Sequence, residues 1–202
     1  MSLTTRRKRP LDRGRKPLRD ARLIIIATEG SDTERIYFDR FGSSRVQVRT
    51  LASLDGKSSP DAVLSNLETF QQEYQLGAGD ELWVAIDVDR WHARTLGSVA
   101  TRCVQKKYGL AISNPCFEIW LALHLEASLP NPINARSLER HLRKQLGKFR
   151  KGSYDAEILI GNAQRAIANA KALDSKPRDR WPQEPGSRVY RLVQSIIDKL
   201  GI

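Results

Sequence analysis

Short unbroken apolar runs alternate along this chain with stretches whose apolar residues recur every three or four positions. Residues 22–28 (RLIIIAT) are short, β-branched and almost wholly apolar, the pattern of a strand buried on both faces. Glu29-Gly30 ends that run. Ser31-Asp32-Thr33-Glu34 then reads as a capping box, with Ser31 at the N-cap and Glu34 at N3, so a helix is expected to run to about Phe41. Residues 45–51 alternate and predict a second strand, and 53–60 (SLDGKSSP) predict a loop. Val63, Leu64, Leu67, Phe70 and Tyr74 stand at helical spacing within 61–75. After the break at 77–80 (GAGD), residues 81–86 (ELWVAI) predict a third buried strand that ends at Asp87-Val88-Asp89.

A helix over 95–107 and a short strand over 110–113 follow. Asn114-Pro115 then reads as a helix start, Asn at the N-cap and Pro at N1, leading into 117–125 (FEIWLALHL). Further helices are expected at 136–146, 156–173 and 188–200, with a polar, Pro-rich connection over 175–187. Strands alternating with helices argue an α/β fold around a central, mostly parallel, four-stranded sheet, with a helical C-terminal extension. At 202 residues the chain is long enough for one well-packed core. The expected divisions are an arm over 1–20, an α/β domain over 21–130 and a helical extension over 131–202 packed on it.

Charge changes this picture because it is uneven. Residues 1–22 hold nine basic and two acidic side chains, residues 23–89 five and twelve, and residues 90–202 twenty and nine. The net charges are therefore +7, −7 and +11. Residues 1–20 carry two prolines and no periodic apolar pattern, and are expected to be a disordered basic arm. Basic flanks hold polyphosphates, whereas an acidic centre repels them unless a cation intervenes. That combination points to metal-dependent chemistry on nucleic acid. A second basic concentration lies at 136–151, where Arg136, Arg140, Arg143, Lys144, Lys148, Arg150 and Lys151 face a single Glu139. On a helix Arg136, Arg140, Arg143 and Lys144 share one face, a candidate phosphate-binding stripe.

The two cysteines, Cys103 and Cys116, exclude a disulfide scaffold and fit a reducing, cytoplasmic compartment. The longest apolar run is too short to span a bilayer, so no membrane partner is expected. Walker A, dinucleotide GxGxxG and GxSxG patterns are absent from the sequence.

Ligands of open parallel sheets bind beyond the carboxyl ends of the strands, and the acidic residues fall there. Glu29 directly follows the first strand; Asp87 and Asp89 follow the third. Residues i and i+2 on a strand share a face, so Asp87 and Asp89 can reach one site. Three carboxylates make a hard, all-oxygen donor set that selects Mg²⁺ or Mn²⁺ over zinc. Glu34 is either the capping residue or a further ligand. Glu118, near the same edge, is either a ligand or a carboxylate favoured by its helix dipole. His124, Phe117, Trp120 and Leu121 read as core, His92 as a surface residue, and both cysteines as packing.

The segments IIIATEGSDTERIYF (24–38), DELWVAIDVD (80–89) and SNPCFEIWLALH (113–124) together resemble the RloB family, as does SRVYRLVQ (187–194). The resemblance covers about residues 20–130 and implies a Toprim-like domain, whose signature is Glu-Gly after the first strand and Asp-x-Asp after the third. Glu29-Gly30 and Asp87-Val88-Asp89 occupy those positions. It further implies a Mg²⁺-dependent nuclease of RNA or DNA in anti-phage defence, controlled by an AAA- or ABC-type ATPase partner. The alternatives are a non-catalytic nucleic-acid-binding effector subunit, and another Mg²⁺-dependent phosphotransfer enzyme. The resemblance leaves the further acidic residue open between Glu34 and Glu118, and the oligomeric state open as well.

Overall fold

Apolar β-branched strands that must bury both faces dictate a sheet sandwiched between helices, and the computed structural model of the chain has that architecture. It describes residues 21–201 apart from 53–57, 75 and 127. The arm over 1–20 and most of the 53–60 loop thus lie outside the described residues.

Strands β1 (Arg22–Thr28), β2 (Val46–Leu51), β3 (Glu81–Asp87) and β4 (Gly109–Asn114) run parallel, and β5 (Gly186–Ser187) adds an antiparallel edge. The sheet has five strands in the order β2-β1-β3-β4-β5, where the sequence predicts four. β5 was hidden in the Pro-rich 175–187 connection because two residues leave no periodicity to detect. Alternate residues of β1 serve the two faces. Ile24 and Ile26 join one apolar cluster, and Leu23, Ile25 and Ala27 join the other.

Helices α2 (Pro60–Glu73) and α3 (Ala93–Lys106) supply the second cluster through Leu64, Leu67, Leu96 and Val99. The first cluster is shared by α1 (Thr33–Phe38), α4 (Glu118–Ala122), α5 (Ala135–Leu146), α6 (Glu157–Ile160), α7 (Ala163–Leu173) and α8 (Val189–Leu200). Residues 131–202 therefore bury their apolar faces in the core that β1, α1 and α4 also build. No helix among the described residues is long and apolar enough to cross a membrane.

Three local expectations fail for physical reasons. The helix after β1 starts at Thr33 and ends at Phe38, and Ser31 does not cap it; the Ser31 hydroxyl bonds to the Asp32 carboxylate (3.1 Å). Asn114 is the last residue of β4 rather than an N-cap, and its side-chain amide donates to the Pro182 and Gln183 carbonyls. α4 begins only at Glu118. The helix expected over 156–173 is broken at Gly161-Asn162 into α6 and α7.

Because β1 lies between β2 and β3, successive connections leave it in opposite directions. The crevice of such an open sheet forms at that switch point, above the ends of β1 and β3.

Candidate metal centre

Glu29, Glu34, Asp87, Asp89 and Glu118 line one cleft of about 250 Å³ at this switch point. Two strands, two helix starts and one turn deliver them. Glu29 follows β1, and its amide still bonds to the Ala85 carbonyl of β3 (3.1 Å), which locks the two strand ends together. Its Oε2 accepts from the Asp87 amide (3.2 Å) and from the indole Nε1 of Trp91 (3.1 Å). The turn after β3 is fixed by the Pro115 carbonyl, which accepts from the Val88 and Asp89 amides (3.2 and 3.1 Å).

Glu34 does not cap α1 in the manner its spacing suggests. Its carboxylate folds back toward the cleft and accepts from the Gly30 amide (3.1 Å). A Cβ at residue 30 would collide with that carboxylate, so glycine is what lets Glu34 approach. Glu118, 2% exposed, enters from the first turn of α4. The structure thus brings both candidates for the further acidic residue into the cleft.

Lys151 is placed differently from its expected phosphate-binding neighbours. Its Nζ lies 3.0 Å from Glu118 Oε1 and 3.4 Å from Glu139 Oε1. A tight turn between Arg150 and Ser153 carries it there, held to α1 by Thr33 Oγ1 donating to the Lys151 carbonyl (2.9 Å) and Tyr154 OH donating to the Thr33 carbonyl (2.7 Å). Arg140, Arg143, Lys144, Lys148 and Arg150 stay exposed and outside the cleft. α5 nonetheless begins at its rim, where Ala135 forms part of the wall. A reciprocal cap starts that helix: Asn134 Oδ1 accepts from the Ser137 amide (2.9 Å), and Ser137 Oγ accepts from the Asn134 amide (3.0 Å).

Electrostatics follow from crowding carboxylates away from water. Burial pushes Glu34 from its ordinary 4.5 up to about 7, with Glu118 and Glu29 adding repulsion against the amides that bind it. Burial also drives Asp87 well above the carboxylate range, reinforced by Glu34, Glu29, Glu118 and Asp89. Glu29 is raised by burial despite the Asp87 amide and Trp91. Asp89 is raised by burial against the opposing pull of Arg90 and Lys151. Burial works against the Lys151 ammonium, yet the adjoining Glu118 carboxylate raises its pKa overall. The Cys116 thiol, which also lines the cleft, is pushed up by burial and then by Glu118 beside it.

Among the described residues no three His, Cys, Asp or Glu side chains stand at metal-holding spacing; the carboxylates surround the cavity. Their chemistry fits a hard divalent ion. All donors are oxygens, and Asp87 receives no hydrogen bond from the protein among the described residues. Every raised carboxylate is one that a nearby cation would lower, and the cleft already draws in two cationic side chains, Lys151 and Arg90.

The histidines and Cys103 stand outside the cleft. His124 is buried, accepts from Tyr37 OH at Nε2 (2.9 Å) and donates from Nδ1 to the Trp120 carbonyl (2.9 Å), and burial lowers it to about 4. It is a neutral, core-satisfied side chain. His92 is exposed at the start of α3. Cys103 is buried in the α3 layer and pushed up to about 12. Trp91 and the inward role of Lys151 were missed from the sequence. Neither has a local signal, since each is defined by a partner more than thirty residues away.

A family model described as RloB-like protein matches residues 24–196. No curated protein and no solved structure matches the chain.

Proposed function

The chain belongs to the RloB-like protein family, and from that premise we propose that it is a metal-dependent nuclease of the Toprim type. The reading further places it in anti-phage defence under the control of an AAA- or ABC-type ATPase. The observation that carries the catalytic reading is Asp87, a half-buried carboxylate without a protein donor among the described residues, at the junction of β1 and β3 and facing four further carboxylates.

Glu29, Asp87 and Asp89 would hold Mg²⁺ or Mn²⁺, with Glu34 and Glu118 completing the acidic lining. When bound, the ion would supply positive charge beside the scissile phosphate and lower the pKa of a water. Trp91 and the Asp87 amide orient Glu29, and the Gly30 amide orients Glu34. Lys151 neutralises Glu118 and offers a cation to an incoming phosphate. The exposed stripe Arg136, Arg140, Arg143 and Lys144, rooted at the rim of the cleft, grips the nucleic-acid backbone and leaves the bases unread.

One observation favours the effector-subunit alternative: Lys151 already compensates part of the acidic cluster. Incubating the full chain with Mg²⁺ or Mn²⁺ and plasmid, single-stranded DNA or tRNA separates the two. Cleavage that requires the ion and disappears in Asp87→Asn and Asp89→Asn is expected. Intact substrates with folded protein, ion present, move the assignment to the effector subunit.

A further inference from the structure

A cavity of about 640 Å³ lies at the other end of the sheet, beside the start of β4. It follows an open strand edge. β5 pairs only with Ser113 and Asn114, and the Arg188 amide reaches the Ile112 carbonyl (2.8 Å). Strand alternation turns the N–H and C=O of Leu110 to the same side as those of Ile112. Among the described residues nothing pairs with Leu110 there. A strand edge left in this state is a template for another strand.

The walls define what fits. α3 contributes Val104, a large apolar side chain that is 79% exposed, on one side of the sheet edge, and Trp83, packed with the layer on the opposite face, lines the other side. Arg178 and Arg180 stand on the opposite rim, exposed, with only Asp179 between them; among the described residues neither has a carboxylate partner. Arg188 and Arg191, at the back, share the single carboxylate of Asp174. Each pair is left with one positive charge in excess. The basic arm over 1–20, with eight Lys and Arg, is of the wrong sign to cover this rim.

We propose that the open edge of β4 takes up an extended acidic segment of a partner protein as an added strand. Its backbone pairs with Leu110, its carboxylates meet Arg178 and Arg180, and its apolar side chains cover Val104 and Trp83. The proposal concerns the edge remote from the acidic cleft and does not depend on the nuclease reading.

A displayed library of random twelve-residue peptides, panned on the full chain, tests it. Arg178→Glu/Arg180→Glu serves as counter-target; both positions are exposed and outside the cleft, and an unchanged melting temperature verifies the fold. Enrichment of sequences that combine Asp or Glu with Val, Ile, Leu or Phe is expected. The enriched peptide should bind the double variant at least tenfold more weakly and should slow hydrogen exchange at the Leu110 amide. Absence of acidic enrichment, equal binding to the double variant, or unchanged exchange at Leu110 overturns the proposal. A concentration-dependent dimer abolished by the same charge reversal also overturns it, in favour of a second copy of this chain.

Discussion

Two clusters of buried charge stand in this protein, and they are built on opposite terms. Around Asp174 opposite charges meet directly, two guanidiniums on one carboxylate. Its carboxylate takes Arg188 Nε and Nη2 (3.1 and 3.0 Å), Tyr190 OH (3.0 Å) and Arg191 Nη2 (3.5 Å). Arg188, 2% exposed, also donates to the Lys176 and Asp179 carbonyls. In the acidic cleft five carboxylates face two cationic side chains, Lys151 and Arg90, and Asp87 has no protein donor among the described residues. The first cluster pins the 175–187 segment to α8 and the edge of the sheet. The second is locally unfavourable, and such conflicts between chemistry and stability gather where a protein binds or reacts.

Neutralising one carboxylate in each cluster gives the largest expected contrast. Asp174→Ala strands a buried guanidinium and should cost about 3–5 kcal/mol of stability in chemical denaturation. Asp87→Asn removes like-charge repulsion and should leave stability unchanged or raise it. A comparable loss in both variants would erase the distinction between the clusters.

Next in size is the pH dependence of the cleft. Unfolded Glu34 ionises near 4.5, whereas the folded protein holds the proton to about 7. Between those values the unfolded state binds fewer protons, so stability falls as pH rises, by an amount on the order of 3 kcal/mol. Asp87, Asp89 and Glu29, all raised, act in the same direction. Melting curves across pH 4.5–7 should decline without added metal, and saturating Mn²⁺ should flatten them.

Gly30→Ala sharpens the role assigned to Glu34. The new Cβ displaces only the end of a flexible side chain, so stability should change by less than about 1 kcal/mol. Divalent-ion affinity should nevertheless fall if Glu34 belongs to the site. The smallest structural effect belongs to the exposed stripe. Replacing Arg140, Arg143 and Lys144 by Gln should leave melting unaltered. It should weaken binding to all nucleic-acid sequences alike and reduce the salt slope by about 2–3.

Legibility in the sequence followed the same division. Buried strands announce themselves, so β1 and β3 and the carboxylates at their ends, Glu29, Asp87 and Asp89, can be read from local pattern alone. Glu34 sits at capping-box spacing, and only tertiary structure shows that its carboxylate turns to Gly30 and the cleft instead. Asn114 looks like a helix start because Asn suits an N-cap and Pro the first helical position; pairing with Gly186 of β5 keeps it in the strand. Lys151 was visible as one of seven basic residues over 136–151. Its union with Glu118 depends on a turn clamped to α1, which no spacing encodes.

Calorimetric titration of Mn²⁺ into the full chain and into Asp87→Asn at pH 7.5 tests the central claim most directly. Saturable binding by the original chain, lost in a variant that melts at the same temperature or higher, is the result this account predicts. Equal binding by both proteins, or none by either while both are folded, would contradict the assignment of the acidic cleft as a divalent-cation site.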